Sequence, residues 1–321
     1  MKPEQIQKAA AELLAEINAS TQPANEIINA YTRARRYIGS KDRHQLTELV
    51  WAAIKSYPTP KWLLQHIPVA ELEAMKQPAH TILRVNGNRE QAQQQLANQG
   101  ILSTPTPLSP LGLILQKRTN LQILPEYKNG LIEVQDEGSQ LATFATHIEP
   151  KATVLDYCAG AGGKSLCLAQ IMQNQGKIIA HDISKRSLNE LQKRAKRAHA
   201  TIIHVSLKPQ GLFQHVVVDA PCSGSGTWRR NPDGRLKLTE KQLKDLVKKQ
   251  ANILDKACLF VQPNGFLHYM TCSLIQLENQ AQARAFLGRH PDFRLVHHQQ
   301  WTPAKTNTDG FFLATFQKVQ K

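Results

Sequence analysis

From Pro150 onward, short apolar runs rich in β-branched residues alternate with longer amphipathic stretches, and this alternation restricts the possible folds. It predicts strands at 152–156, 177–181, 201–205, 215–219, 265–271, 292–297 and 311–316, with helices at 164–173, 184–198, 239–261 and 277–289. Such alternation is typical of an α/β fold, a mostly parallel sheet with helices on both faces. The carboxyl ends of neighbouring strands in such a sheet share one crevice, where ligands bind.

Two smaller units are predicted ahead of this sheet. Residues 1–75 carry apolar side chains at helical spacing, such as Ile6, Leu13 and Ile17, and are expected to form a helical module. Residues 76–148 are expected to form an α+β subdomain, with strands at 81–85, 111–115 and 131–134 and a helix at 89–99. The prolines Pro105, Pro107 and Pro110 indicate a loop and no strand ahead of Leu111. Residues 149–321 then form the large domain.

The chain is strongly basic, with 40 Lys and Arg against 25 Asp and Glu and a net charge of +15. A basic surface attracts phosphate backbones, so we expect a nucleic-acid partner, although a basic surface without a partner is the simpler alternative. No apolar run is long enough to cross a membrane, and the first residues lack the apolar core of a secretory signal. We therefore expect a cytoplasmic protein and no membrane contact.

The cysteine pattern argues against a disulfide framework and against a metal site. The five cysteines are odd in number, and no two of them form a Cys-x-x-Cys motif. Cys167 and Cys258 fall inside apolar helical stretches, where small buried thiols are common.

A glycine-rich loop follows the first strand of the large domain, in Asp156-Tyr-Cys-Ala-Gly160-Ala-Gly162-Gly163-Lys164. A phosphate-binding Walker loop requires glycine where Cys158 stands, and a dinucleotide fingerprint requires glycine where Ser165 stands. The remaining possibility is a nucleoside without pyrophosphate, such as S-adenosylmethionine, with Asp182 at the end of the next strand accepting from the ribose hydroxyls. A tight helix-start turn without a ligand is the alternative.

Cys222 and Cys272 each follow an apolar run that is predicted to be a buried strand. A thiolate that adds to carbon 6 of a pyrimidine activates carbon 5 toward a methyl donor, and a base must then remove the carbon 5 proton. Asp219, close to Cys222, is suited to hydrogen-bond the pyrimidine edge. Two thiols and one aspartate at strand ends match this chemistry, whereas either cysteine alone is more simply a structural thiol.

Three segments carry a family resemblance: Asp156-Tyr-Cys-Ala-Gly-Ala-Gly-Gly-Lys164, Asp219-Ala-Pro-Cys222-Ser-Gly-Ser-Gly-Thr227 and Thr271-Cys272-Ser273. They resemble the motifs of the RNA cytosine-5 methyltransferases of the RsmB/Sun family. Further similar segments are Leu83-Arg-Val-Asn86, Val134-Gln-Asp136-Glu-Gly-Ser-Gln140, Arg230-Asn-Pro-Asp233 and Thr308-Asp-Gly-Phe-Phe312, so the resemblance spans residues 80–321. The stretch Arg36-Tyr-Ile-Gly-Ser-Lys-Asp-Arg43 is similar to a NusB-like RNA-binding domain, in a shortened form.

The resemblance implies a role for each matching residue. Cys272 corresponds to the attacking thiolate and Cys222 to the cysteine that assists product release, an order that residue chemistry alone leaves open. Asp219 and Lys164 complete the implied catalytic set. The implied contacts with S-adenosylmethionine come from Asp156, Cys158, Ala159, Gly160, Gly162, Gly163, Lys164, Asp182, Arg186 and Asp219. The implied fold is a Rossmann-like class I methyltransferase sheet of seven strands, the last antiparallel, preceded by an RRM-like subdomain.

The match has two departures. Gly160-Ala161 replaces the Ala-Pro of the family pattern, and Ser206-Leu-Lys208 stands where the family places an adenine-contacting aspartate. The sequence thus predicts a monomeric enzyme that forms 5-methylcytosine in RNA, with small-subunit ribosomal RNA favoured over transfer RNA. An RNA-binding assembly factor with a weakened cofactor site and a DNA cytosine methyltransferase are the alternatives.

Overall fold

The predicted helical module opens the computed structural model, which describes residues 1–117 and 119–319. Its helices are α1 (Pro3–Ala19), α2 (Ala24–Ala34), α3 (Ser40–Ser56) and α4 (Val69–Ala74), with a 3-10 turn at Lys61–Gln65. Leu13 and Ile17 are buried against Leu46 and other apolar side chains of α3, as their spacing predicts. Helix α3 ends before Pro58, because a proline disfavours helical geometry in the preceding residue.

A four-stranded antiparallel sheet follows. Its elements are β1 (Ile82–Val85), α5 (Arg89–Asn98), β2 (Ser103–Pro105), β3 (Gly112–Leu115), a 3-10 turn at Leu121–Ile123, α6 (Pro125–Lys128) and β4 (Ile132–Val134). The strand order β2-β3-β1-β4 is that of the expected RRM-like subdomain. The predicted loop at Pro105 is wrong, because this proline lies in β2. The strand is at the sheet edge, where a residue without an N–H is tolerated.

A seven-stranded sheet forms the large domain. Its strands are β5 (Thr153–Asp156), β6 (Lys177–His181), β7 (Ile203–Ser206), β8 (Phe213–Asp219), β9 (Val261–Thr271), β10 (Phe293–Trp301) and β11 (Phe311–Lys318). They lie in the order β10-β11-β9-β8-β5-β6-β7, and β5 to β9 pair in parallel. The last strand, β11, is antiparallel to both β9 and β10. The predicted α/β fold is confirmed.

Helix α7 (Glu137–Phe144) follows β4 and packs against α8 and β11 of the large domain. The helices of the large domain are α8 (Gly163–Ile171), α9 (Lys185–Arg197), α10 (Gly234–Lys237), α11 (Glu240–Ala257), α12 (Gln280–Arg289) and α13 (Pro303–Thr306), with 3-10 turns at Ser225–Thr227 and Cys258–Phe260. Cys167 and Cys258 are buried, as expected for core thiols. Strand β9 begins four residues earlier than predicted, because the turn-like Pro263-Asn264-Gly265 is accommodated where the β8–β9 register shifts. Within the described residues, no helix has the length and apolar character of a membrane span.

Two arginines and two aspartates join the RRM-like subdomain to the large domain. The guanidinium of Arg229 donates to Asp309 at 2.5 Å and to Asp136 at 3.3 Å. Arg230 donates to the same two carboxylates, at 2.6 Å and 2.7 Å. Both carboxylates are almost fully buried, so the two positive and two negative charges balance inside the interface.

Candidate active site

Two cysteine side chains meet where β8 and β9 end. Cys222 lies three residues beyond β8, and Cys272 directly follows the neighbouring parallel strand β9. The two Sγ atoms are 3.4 Å apart. The N–H of Gly226 donates to the carbonyl of Cys272 at 3.0 Å, which ties the two loops together through the backbone. The structure thus brings together the two thiols that the sequence analysis paired.

An ion pair between Lys164 and Asp219 lies beside the thiols. Lys164 Nζ, in the first turn of α8, is 2.5 Å from Asp219 Oδ2, at the end of β8. The lysine side chain is 7% exposed and the aspartate 32%, so the carboxylate is the member that a substrate can reach. Burial lowers the pKa of Lys164, but the nearby Asp219 and Cys272 outweigh burial and raise it. The ammonium therefore stays charged beside Cys272.

The Cys222 thiol is held in its protonated form. Its hydrogen bond with Cys272, followed by burial and by the negative charge of Glu278, raises the pKa of Cys222 well above its usual range. A cavity of about 440 Å³ opens at Cys222 and is lined further along by Gly234, Lys237 and Lys249. We call this cavity the Cys222 pocket, since Cys272, Lys164 and Asp219 do not line it.

The sequence analysis missed Glu278, a fully buried carboxylate behind both thiols. Its Oε1 accepts from the N–H of Ser223 at 2.8 Å and from Gln250 at 3.0 Å. Its Oε2 accepts from the hydroxyls of Ser223 and Ser273, each at 2.5 Å. Ser223 and Ser273 directly follow the two cysteines, so one carboxylate fixes both cysteine loops. In the sequence, the serine that follows each cysteine was the one indication that a buried acceptor binds both loops.

Glu278 turns inward because α12 begins later than predicted. The helix expected from residue 277 starts at Gln280, and Glu278 lies in the preceding turn. Asn279 holds this turn, since its side chain accepts from Thr271 at 2.5 Å and donates to the carbonyl of Ser273 at 2.8 Å. Glu278, which falls within the predicted helix, therefore lies ahead of the observed one and is buried.

The glycine loop lies between β5 and α8. Gly160 and Gly162 have φ angles of 52° and 88°, which few residues other than glycine adopt. A Cβ on Gly162 would lie 2.5 Å from Leu191, so helix packing requires this glycine, whereas Gly160 and Gly163 face open space. Asp182 accepts from the N–H of Gly160 at 2.9 Å and so links the loop to the end of β6. The open side of the loop can accommodate a ligand.

The other predicted cofactor residues occupy different environments. Asp156 is fully buried, accepts from Ser165 Oγ at 2.6 Å, and has a pKa that burial raises to about 7. Its Oδ2 is used by Ser165, whereas its Oδ1 has no hydrogen-bond partner among the described residues. Burial raises the pKa of the Cys158 thiol, and Ala159 is buried with its N–H bonded to the carbonyl of His181. Arg186 is exposed in the first turn of α9 and makes no hydrogen bond to the described residues.

Comparison with known proteins agrees with this geometry. Residues 144–317 match the family described as 16S rRNA methyltransferase RsmB/F. A probable ribosomal RNA small subunit methyltransferase B of Bacillus subtilis is 32% identical over 270 residues, which cover 75% of this chain and 60% of that protein. The ribosomal RNA small subunit methyltransferase B of Vibrio cholerae is 32% identical over 290 residues, covering 82% of this chain and 66% of that one.

A solved structure shares the arrangement of all three units. The crystal structure of the protein named PH0851 superimposes with a TM-score of 0.77 at 26% identity, and the match covers 92% of this chain and 76% of that one. The chain spans about 60% of the length of the Bacillus relative, so its match to that protein is partial. The family match, which extends over more than half of the sequence, shows that the chain belongs to the RsmB/F family of methyltransferases.

Proposed function

We propose that this protein transfers a methyl group from S-adenosylmethionine to carbon 5 of a cytosine in small-subunit ribosomal RNA. The observation that carries the proposal is the pair of sulfur atoms 3.4 Å apart, next to the Lys164–Asp219 ion pair. A pair of structural thiols has no need of a buried ammonium beside it. Covalent activation of a pyrimidine needs both an ionised thiol and a charged environment that stabilises it.

The glycine loop and its neighbours fit S-adenosylmethionine, which supplies an electrophilic methyl group when bound. Gly160 and Gly163 leave the backbone accessible, and Asp182 stands at the loop's edge, where it can accept from ribose hydroxyls. Ile183 and Leu207, which follow β6 and β7, are 86% and 50% exposed. We expect these two apolar side chains to hold the adenine ring, in place of the aspartate that this sequence lacks.

The thiolate of Cys272 attacks carbon 6, the Lys164 ammonium offsets the negative charge that develops on the ring, and Asp219 accepts a hydrogen bond from the cytosine amino group at the pyrimidine edge. Asp219 retains Oδ1 for this contact, because its Oδ2 binds Lys164. After methylation, a water molecule takes the carbon 5 proton, the electrons of the broken C–H bond restore the ring double bond, and the bond from carbon 6 to sulfur breaks with its electron pair returning to Cys272. Cys222, adjacent to the attacking sulfur, is the group that we assign to this release step, its thiol donating a proton to the leaving sulfur.

The electrostatics support this order of the two cysteines. Of the two cysteines, Cys272 is the one whose charge acts on the Lys164 ammonium, which is held in place by Asp219. Residue chemistry alone left either cysteine as the nucleophile. The charged neighbours now favour Cys272.

The test is to trap the covalent adduct. We expect Cys222→Ala to accumulate an RNA–protein complex that survives denaturing electrophoresis, because thiolate addition proceeds while release stalls. Cys272→Ala and the double variant should give no such complex. Cys258→Ala, which removes a core thiol far along the chain, is the control and should behave as the unmodified protein. A complex formed by Cys272→Ala alone would reverse the two roles.

A second candidate is an RNA-binding assembly factor without methyl transfer, and the Ser206-Leu-Lys208 segment is the observation that favours it. Transfer of a labelled methyl group to ribosomal RNA, transfer RNA and DNA separates the candidates. Incorporation into ribosomal RNA supports the proposed enzyme. Incorporation into none of the three, with RNA binding retained, supports the assembly factor.

A further inference from the structure

Arg84, on β1, is a fully buried cation at the contact between the RRM-like subdomain and α8. Its Nε donates to the side-chain oxygen of Gln135 at 2.7 Å, and its Nη1 donates to those of Asn86 and Gln170. All three acceptors are neutral amides, and no carboxylate forms an ion pair with this guanidinium within residues 1–117 and 119–319. Burial lowers the pKa of Arg84. A buried charge without an opposite charge is costly, so the arginine calls for an explanation other than stability.

Two of the three acceptors connect Arg84 to α8. Gln170 lies on α8 itself, and its Nε2 donates back to the carbonyl of Val85 on β1 at 2.6 Å. Gln135 lies between β4 and α7, and its Nε2 donates to the carbonyl of Gly163, the first residue of α8, at 3.4 Å. The spacing of Gly163 and Gln170 places them on one face of the helix. The guanidinium therefore holds one face of α8 through two glutamine side chains.

The first turn of α8 has few other contacts to hold it. Its N-cap is Gly162, which has a φ of 88° and no side chain to cap the helix. Helix ends that lack a cap open readily. Gln135 therefore contributes a hydrogen bond at Gly163, where the helix would open first. Lys164, whose ammonium is bound to Asp219, is the next residue of the same turn.

We propose that Arg84 is a positioning residue for the glycine loop, which it holds through Gln135 in the form that binds S-adenosylmethionine. Because Nε of Arg84 occupies the amide oxygen of Gln135, the amide presents its NH2 group to the carbonyl of Gly163. The RRM-like subdomain thereby acts on cofactor affinity from outside the loop. This inference rests on the proposed function for the identity of the loop's ligand, but the loop itself can be measured without any ligand.

The first test follows amide hydrogen exchange in the full chain without cofactor. Gln135→Met removes the amide and keeps a side chain of similar length, so residues 160–166 should exchange about tenfold faster. The control is Gln282→Met, which removes another buried amide, one that donates to the carbonyl of Val247 at 2.7 Å. It should leave exchange of the loop unchanged. Equal exchange of the loop in Gln135→Met and in the unmodified protein would overturn the proposal.

The second test measures the dissociation constant of S-adenosylhomocysteine by calorimetry. Gln135→Met and Arg84→Met should each weaken binding about tenfold, and Gln282→Met by less than about twofold. The double variant should bind no more weakly than Arg84→Met alone, because the two side chains act in one chain of contacts. Independent effects, which would multiply in the double variant, would contradict the proposal.

Thermal melts show which of these variants are folded. If Arg84→Met does not fold, Gln135→Met decides the question, since it leaves the contacts of Arg84 with Asn86 and Gln170 in place.

A third measurement separates positioning from a structural role. In the methyl-transfer assay, Gln135→Met should raise KM for S-adenosylmethionine about tenfold and leave KM for RNA unchanged. An equal rise in both KM values would limit Arg84 and Gln135 to a structural role and overturn the proposal. If the unmodified protein binds no S-adenosylhomocysteine and transfers no methyl group, the proposed function fails, and the exchange of the loop still decides whether the two side chains hold it.

Discussion

Strands β8 and β9 position two pairs of polar side chains, one near the middle of the strands and one just beyond their ends, and the two pairs differ in charge. Near the middle, His215 Nδ1 of β8 lies 3.0 Å from His268 Nε2 of β9. Beyond the strand ends, Cys222 and Cys272 lie 3.4 Å apart. Burial lowers the pKa of His215 to about 4 and that of His268 well below its usual value, so both histidines are neutral at pH 7. The thiols instead lie beside the charged Lys164 and Glu278.

The difference in charge follows from which groups can approach the middle of the strands and which can approach their ends. The middle of a strand is flanked by other strands, and there the second ring nitrogen of His268 pairs with the hydroxyl of Thr315 on β11, at 3.0 Å. At the strand ends the backbone leaves the sheet, and loops can bring a lysine and a glutamate to the thiols. Neutral polar pairs therefore suit the interior of a sheet. Charged side chains, and the chemistry that needs them, are found at the ends of the strands.

Removing the charge at the sheet edge should have the largest effect. We expect Lys164→Met to lower the rate of methyl transfer about 100-fold or more, because the Cys272 thiolate loses its neighbouring cation. The dependence of the rate on pH should also change, because removal of the ammonium alters the charge beside both thiols. Rates measured over a pH series check both effects, with Lys164→Arg as the charge-preserving control. An unchanged pH profile would show that the ammonium does not act on the thiol.

The carboxylate behind the thiols provides a finer test. Glu278→Ala leaves the donors of Ser223, Ser273 and Gln250 buried without a partner and should lower the free energy of unfolding by about 3 kcal/mol. Glu278→Gln can keep the contacts if the serine hydroxyls rotate, so it should fold. It removes a negative charge that raises the pKa of Cys222, and the pH profile of methyl transfer should move to lower pH. A folded Glu278→Gln with an unmoved profile would limit Glu278 to a structural role.

The histidine pair should affect stability in acid and leave catalysis unchanged. The folded state depresses the pKa of both histidines, so their contribution to stability is complete above about pH 6.5 and is lost as pH falls toward 4. We expect His268→Gln, which stays neutral, to reduce this acid loss by about 2 kcal/mol. Denaturant unfolding at pH 7 and pH 4.5 measures the difference. Methyl transfer at pH 7 should change less than twofold, and an equal acid loss in the variant would contradict the account.

The sequence predicted what depends on local pattern. The alternating apolar runs located the seven strands, and strand ends located Cys222, Cys272 and the glycine loop. Glu278 was not predicted because the groups that bind it, on Ser223 and Gln250, lie 55 and 28 residues away in the sequence. Strand β2 was not predicted because Pro105 indicates a loop unless the strand is known to lie at the edge of the sheet. Long-range pairings of this kind have no local signal in a single sequence.

The four charged side chains that join the RRM-like subdomain to the large domain have a consequence for dissection of the protein. A fragment starting at residue 149 would keep Arg229, Arg230 and Asp309 but lose Asp136, leaving two guanidinium groups and one carboxylate. Gly310, next to Asp309, donates to the carbonyl of Gly226, whose own N–H holds the Cys272 loop. The excess positive charge would thus lie close to Gly310, which is connected through Gly226 to the Cys272 loop. A fragment that is to keep this charge balance must therefore begin before Asp136.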